Sequence, residues 1–498
     1  METIRWLFGI KSQHPLVDGD EIYPVHGIDS ADVLRPLILG WTMRFNDVLD
    51  ADKLHEALCK LLNIGDWKKL GGRMRVGKSG KLEFHVPVPF TAARPPVTYS
   101  HQTFNIKIAE HDLAGKLPVA GAKAQVFAGP HDFLGLTTGP DAPQTLEDYL
   151  SRDVPLLSLH ITSFDDATVI GLAWPHAVTD AMGRHAIMSS WSLILAGKEA
   201  EVPPFLGARE DVLYKAADPD FGEQKPFVLE PTRLFGFKML MFGLRFLKDM
   251  FLNPATDSRT AYIPKRLIDN LRAQMKREIA EKNGAEAGDA WISEGDILTA
   301  WFAQKAALSN PGARPMIIGG LFDLRSRLPE TVSRDGVYVQ NMVLLTFTTV
   351  SAELYKGPVS GIALEHRRCL KEQFPPEQVL GHLRELRRNW DRGSYRNPVY
   401  GPSDGWLFTL SNWTKADFVH AIQFGPAVVK QGESDDTRKN PLGMMVYHHS
   451  TLLKKSRLSR NSMGIPGKDH EGNYWITGYL SPEAWQLVEQ GLVDIESI

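Results

Sequence analysis

Cysteine is scarce in this chain: Cys59 and Cys369 are the two thiols in 498 residues. Two are too few for a disulfide framework or a cysteine-rich zinc site, and they suit a reducing compartment. No uninterrupted apolar run reaches about 18 residues, so a membrane-spanning helix is not expected. Neither sign of charge is in excess. Lys and Arg number 56 against 59 Asp and Glu, a net charge of −3. Such a balance supplies no global field toward nucleic acid or acidic lipid, and a nucleic-acid binder is disfavoured. The opening residues 1–10 lack the basic start, long apolar core and small-residue cleavage site of a secretory leader. A cytoplasmic protein is expected. Fixed-period repeats and low-complexity tracts are missing as well.

What is present describes a globular chain, with 43% apolar and 23% charged residues and length for roughly two to four domains. Asp50 or Asp52 can cap a helix whose Leu54, Ala57, Leu58, Leu61 and Leu62 share one face. Leu156 to Thr162 and Thr168 to Trp174 read as strands around an Asp165-Asp166 turn. A helix is predicted from about Asp180 to Ala196, with Ile187, Trp191 and Ile194 inward. The proline-bearing stretch 201–233 shows little periodicity, as expected of a segment that joins domains or lines a site. Strand and helix signals then resume at Thr260 to Ile263 and Pro264 to Lys282. Ser293-Glu-Gly-Asp296 resembles a capping box before a helix that uses Ile297, Trp301 and Leu308. The pattern predicts a mixed α/β protein of two domains, 1–205 and 256–498, joined by a crossover linker and apolar helix over 206–255, with a cleft between them.

Residues 234–252 form the most apolar segment, and as a helix they place Phe237, Leu240, Met241, Leu244, Leu247 and Phe251 on one face. Lys238, Arg245 and Lys248 lie elsewhere on it. The plain reading is a helix that covers the cleft or core. The other is a basic amphipathic helix in peripheral contact with a membrane surface.

Gly72-Arg-Met-Arg-Val-Gly77-Lys78-Ser79 fits the phosphate-binding pattern GxxxxGK(S/T) letter for letter. That motif needs a strand before the glycine loop and a helix after it. Here a helix precedes, and Lys81 to Val86 alternates like a strand. The order is reversed, and a hairpin turn is the better reading.

The pattern HxxxD occurs twice, at His14-Pro-Leu-Val-Asp18 and His176-Ala-Val-Thr-Asp180, and with 16 histidines chance alone supplies roughly one match. Context separates them. His14 lies in a polar, proline-containing stretch and reads as a surface or structural residue. His176 follows the apolar strand Val169 to Trp174, which Pro175 ends by lacking an amide donor. A histidine at a strand end, facing a cleft, can act as a general base near neutral pH. Asp180 can pair with a cation or cap the next helix.

The segment Trp174 to Gly183 resembles the HxxxD region of the BAHD acyl-CoA-dependent acyltransferases, especially their fungal trichothecene 3-O-acetyltransferase-like branch. Five further stretches resemble that family in order: His14 to Asp18, Leu70 to Met74, Ser293 to Ala300, Asp323 to Pro329 with Val337 to Asn341, and Leu410 to Trp413 with Phe418 to Gly425. One departure stands out, since Gln423-Phe-Gly-Pro-Ala427 replaces the family's Asp-Phe-Gly-Trp-Gly. The resemblance implies two chloramphenicol-acetyltransferase-like domains with a solvent channel between them. It implies acyl transfer, acetyl foremost, from acyl-CoA to a hydroxyl of a small, largely apolar secondary metabolite. His176 would be the base and Asp180 an orienting residue, paired with Arg325 or Arg327. Ser411, Asn412 and Trp413 would face the oxyanion or substrate, and the protein would be a monomer.

Neither cysteine sits in a nucleophile motif, so direct transfer without an acyl-enzyme is expected. Lys454, Lys455 and Arg457 form a basic cluster suited to CoA phosphates. No permanent cofactor and no metal is expected. His448-His449 are adjacent and lack a suitably spaced carboxylate. Two other readings stay open: amide formation as in peptide-synthetase condensation domains, and a degenerate binding protein of the same fold. The first normally has a second histidine where Pro175 stands.

Overall fold

Thr168–Pro175 is buried along all eight residues, the signature of a central strand covered on both faces. In the computed structural model, which describes residues 13–222, 224–283, 291–310, 312–434, 436–456 and 459–497, it is the middle strand of a five-stranded mixed sheet. The order is Met445–Leu452, Ile38–Phe45, Thr168–Pro175, Ser158–Ser163 and Thr98–Thr103, all antiparallel except the last pair. A seven-stranded sheet runs Val343–Val350, Met316–Asp323, Trp406–Asn412, Ser462–Lys468, Tyr474–Leu480, Asp257–Ile263 and Gln125–Ala128.

Each sheet borrows an edge strand from the other half of the sequence. Met445–Leu452 pairs with Ile38–Phe45, and Gln125–Ala128 pairs with Asp257–Ile263. The two halves are therefore stitched together by backbone hydrogen bonds as well as by side-chain packing. Each sheet carries its own main core. One gathers Trp41, Leu58, Trp174 and Trp191, and the other Ile297, Phe302, Phe408 and Trp485.

Local chemistry sets the helix starts. Asp50 caps Ala51–Leu61 by accepting from the Lys53 amide, and its apolar face is buried as the spacing predicts. Ser293 and Asp296 form a reciprocal capping box at Glu294–Leu308. The phosphate-loop lookalike is a hairpin, with Arg73–Val76 antiparallel to Leu82–Val86 and Gly80 at φ +79° in the turn. The linker region holds the short strand Phe205–Leu206, paired in parallel with Val337–Tyr338, then the short helix Val212–Ala216 and the long helix Gly236–Leu252.

The reading of 234–252 as a cover for the cleft or core holds for one side of the helix only. Phe242 packs on a small cluster with Phe227, Ile317, Phe347 and Tyr400, but no residue of the Gly236–Leu252 helix is buried. Among the described residues no helix is long and apolar enough to cross a membrane. Residues 1–10, read above for a leader, lie outside the described residues.

Candidate active site

Pro175 closes its strand, and the chain turns sharply into the next helix. The His176 amide donates to the Leu37 carbonyl at 2.8 Å, and the Val178 amide returns to the Pro175 carbonyl at 2.9 Å. Asp180 is the N-cap of Ala181–Leu195 and accepts from the Gly183 amide at 2.9 Å. Gly183 has to be glycine here, because a Cβ would sit 2.0 Å from the Val339 carbonyl oxygen and 2.2 Å from Thr179 Oγ1. The helix start is thus pressed against the segment 337–342 from the other half of the chain.

Asp180 is fixed four times over. Arg325 grips it with both terminal nitrogens at 3.0 Å, and the Met342 amide donates at 2.8 Å, in addition to the cap bond. Such a two-pronged pair fixes orientation as well as energy. Arg325 also donates to Asp323 and to the Tyr338 and Gln340 carbonyls. Arg327 does not reach Asp180. Its guanidinium lies 4.3 Å from the centre of the Phe374 ring, on the wall of the same cavity.

His176 opens into a cavity of about 620 Å³ between the two sheets. Its Nδ1 is fully buried, and the residue forms part of the cavity wall. Burial holds the imidazole below its ordinary pKa of 6.5, with the Arg184 guanidinium acting in the same direction and Asp180 opposing. The ring is therefore neutral near pH 7. Asn341 anchors its backbone, donating from Nδ2 to the His176 carbonyl and to Asp29 Oδ1, each at 2.8 Å. The Asn341 amide adds a further bond to Asp29 at 2.8 Å.

Ser411, Asn412 and Trp413 line the same cavity at the end of strand Trp406–Asn412. The Trp413 indole N–H is already committed to Ser411 Oγ at 2.6 Å. Ser411, as acceptor there, keeps its own proton free to donate. Asn412 Oδ1 accepts from Thr414, both amide and hydroxyl.

Arg184 and Asn341 escaped the sequence reading. Arg184 is buried against the rings of Trp413, Trp41, Phe418 and Trp174, at 4.5 to 5.4 Å from their centres. Burial lowers it to about 9, so it stays charged at neutral pH. Its position in the first turn of Ala181–Leu195 carries no sequence signal, whereas Asn341 belongs to a stretch noted for family likeness but was given no role.

The basic cluster lies apart. Lys454 and Lys455 are exposed after Met445–Leu452, and Lys455 borders a separate polar hollow of about 450 Å³ with Arg259 and Asp132. Arg457 lies outside the described residues. His14 is bonded through its amide to the Leu150 carbonyl and lines no part of the His176 cavity. His448 and His449 are buried in their strand, with the Trp41 indole donating to His448 Nδ1 at 3.0 Å. Among the described residues no cluster of three His, Cys, Asp or Glu could hold a metal ion. Cys59 and Cys369 are free, and burial pushes both thiols up to about 11.

Residues 142–426 match the Transferase family. The acetyltransferase BOT5 of Botryotinia fuckeliana is 36% identical over 495 residues, covering 95% of this chain and 90% of that protein. The O-acetyltransferase PaAT-2 of Phomopsis amygdali is 33% identical over 482 residues, covering 95% and 97%. Among solved structures, the fold resembles Fusarium sporotrichioides TRI101 complexed with coenzyme A and T-2, at TM-score 0.63 and 14% identity over 94% of this chain and 96% of that one. With a family match over more than half its length and full-length fungal relatives, this chain belongs to the Transferase family, as an enzyme of the fungal branch of the BAHD acyl-CoA-dependent acyltransferases.

Proposed function

We propose that this enzyme moves an acetyl group from acetyl-CoA to a hydroxyl of a small, largely apolar secondary metabolite, with His176 as general base. The observation that carries the proposal is a cavity of about 620 Å³, lined by His176, that mixes apolar walls with a few polar groups, and burial that holds the imidazole below 6.5 supports it. Nε2 takes the proton of the acceptor hydroxyl as its oxygen attacks the thioester carbonyl. The oxyanion that forms is met by Ser411 Oγ–H, which the Trp413 indole polarises. As the C–S bond breaks, the imidazolium returns its proton to the thiolate, releasing CoA as free thiol and the acylated alcohol.

Asp180 is an architectural residue in this scheme. Its carboxylate is saturated by Arg325, Met342 and Gly183 and docks the helix start onto 337–342. Direct transfer agrees with thiols that burial keeps protonated and that do not line the cavity. Lys454, Lys455 and Arg457 remain the proposed phosphate anchor, Lys455 at the margin of its own polar hollow.

The test is acceptor-dependent release of free thiol from acetyl-CoA across a panel of apolar alcohols and matching amines, with intact-protein mass spectrometry during turnover. Acylated alcohol with no mass added to the enzyme is expected. Turnover of the amines alone, or a covalently acylated enzyme, would contradict the proposal.

A further inference from the structure

The Gly236–Leu252 helix is rich in apolar residues, with only Lys238, Arg245, Lys248 and Asp249 charged, yet it is not a core helix. Its inner face is tied down: Phe242 packs on the Phe227–Tyr400 cluster, Arg245 donates to the Ser403 carbonyl at 2.8 Å, and Asp249 is paired with Arg314. The orientation of the outer face is therefore set by packing. That outer face carries Phe237, Leu240, Leu244, Leu247 and Phe251, whose spacing of three and four residues aligns them in one stripe. All five are exposed, Phe237 at 75% and Phe251 at 84%. Phe235 and Leu252 extend the stripe at both ends, at 70% and 60%. A continuous apolar patch of this kind on a protein surface marks an interaction site.

We propose that this helix docks the enzyme on an anionic lipid bilayer, lying in the interface with the Phe237–Phe251 stripe among the acyl chains. Charge distinguishes the bilayer from a second copy of the chain. The exposed charges on the helix are Lys238 and Lys248, and its one acid, Asp249, is consumed by Arg314. Lys248 flanks the stripe, and a second copy meeting along it would offer no acid of its own helix in answer, whereas opposite charges beside a paired helix seam are what set partner choice. An anionic headgroup layer answers them directly, since lysine stems can lie along apolar surface while the ammonium reaches the phosphates. The net charge of −3 does not oppose this, because the attraction acts locally, within a Debye length of the membrane.

The full chain is sedimented with vesicles of phosphatidylcholine alone and with vesicles containing about one quarter phosphatidylserine. Binding to the anionic vesicles, weakened by salt, is expected. Leu244→Asp with Leu247→Asp should cut partitioning at least about tenfold, with unchanged thermal midpoint and unchanged thiol release from a soluble donor and acceptor. Lys238→Glu with Lys248→Glu should abolish the preference for anionic vesicles. The proposal is overturned if the wild-type chain stays in the supernatant with both vesicle types. It is also overturned if sedimentation velocity without lipid shows a dimer that Leu244→Asp with Leu247→Asp dissolves, for then the stripe belongs to a second copy.

Discussion

Two histidines in this chain begin the same five-residue pattern and end in unlike surroundings. His14 leads to an exposed Asp18 in a polar stretch, half-buried and lining no part of the central cavity. His176 leads to an Asp180 locked by Arg325, at the junction of a buried strand and a capped helix. The spacing is identical, so spacing alone does not single out the proposed base. The difference lies in three physical features found at His176: a strand end that stops abruptly, a carboxylate that is saturated by the other half of the molecule, and a cavity before the ring. The aspartate serves the site by joining two segments, and burial leaves the imidazole neutral.

That contrast can be broken deliberately. The largest effect is expected from His176→Ala, which should lower kcat by about 10²- to 10⁴-fold, the ordinary worth of general base catalysis. KM for acetyl-CoA and the thermal midpoint should stay close to wild type. Next comes Arg325→Met, which strands the Asp180 carboxylate at 6% exposure. Breaking a buried pair in this way costs about 3–5 kcal/mol, to be read by urea unfolding, and Asp180→Asn in the same chain should restore part of it. Asn341→Ala removes the bonds to the His176 carbonyl and to Asp29. It should reduce kcat about tenfold by loosening the ring's position, with little change in KM for acetyl-CoA.

A smaller effect sharpens the electrostatic half of the comparison. With the imidazole held below 6.5, kcat/KM should rise with pH along a limb whose midpoint lies below that value, and then stay level through neutrality. Arg184 disfavours the imidazolium, so Arg184→Met should raise the pKa and move that limb to higher pH. The smallest effect belongs to the other histidine. His14→Ala and Asp18→Ala should each stay within about 0.5 kcal/mol of wild type, with unchanged turnover.

Much of this was legible in the sequence, because much of it is local. Asp50, Asp180 and Ser293 announce their helices by capping, and Pro175 announces the strand end before His176. The lookalike phosphate loop could be rejected because the order of its flanking elements is itself a local property. What resisted reading depends on distant parts of the chain. The exchange of Met445–Leu452 and Gln125–Ala128 between sheets leaves no trace in their own residues. Arg325 and Arg327 differ by two positions, and only the path of the backbone after Met316–Asp323 gives one to Asp180 and the other to Phe374. Arg184 looks like any helix-surface arginine until the aromatic rings that bury it are assembled. For Gly236–Leu252, periodicity located an apolar face but could not say whether protein would cover it.

The most direct test of the account sets two variants side by side, His176→Ala and His14→Ala, and follows thiol release from acetyl-CoA with an accepted alcohol. The account predicts full activity in His14→Ala and at least about a hundredfold loss in a folded His176→Ala. Equal turnover in the two variants would contradict it.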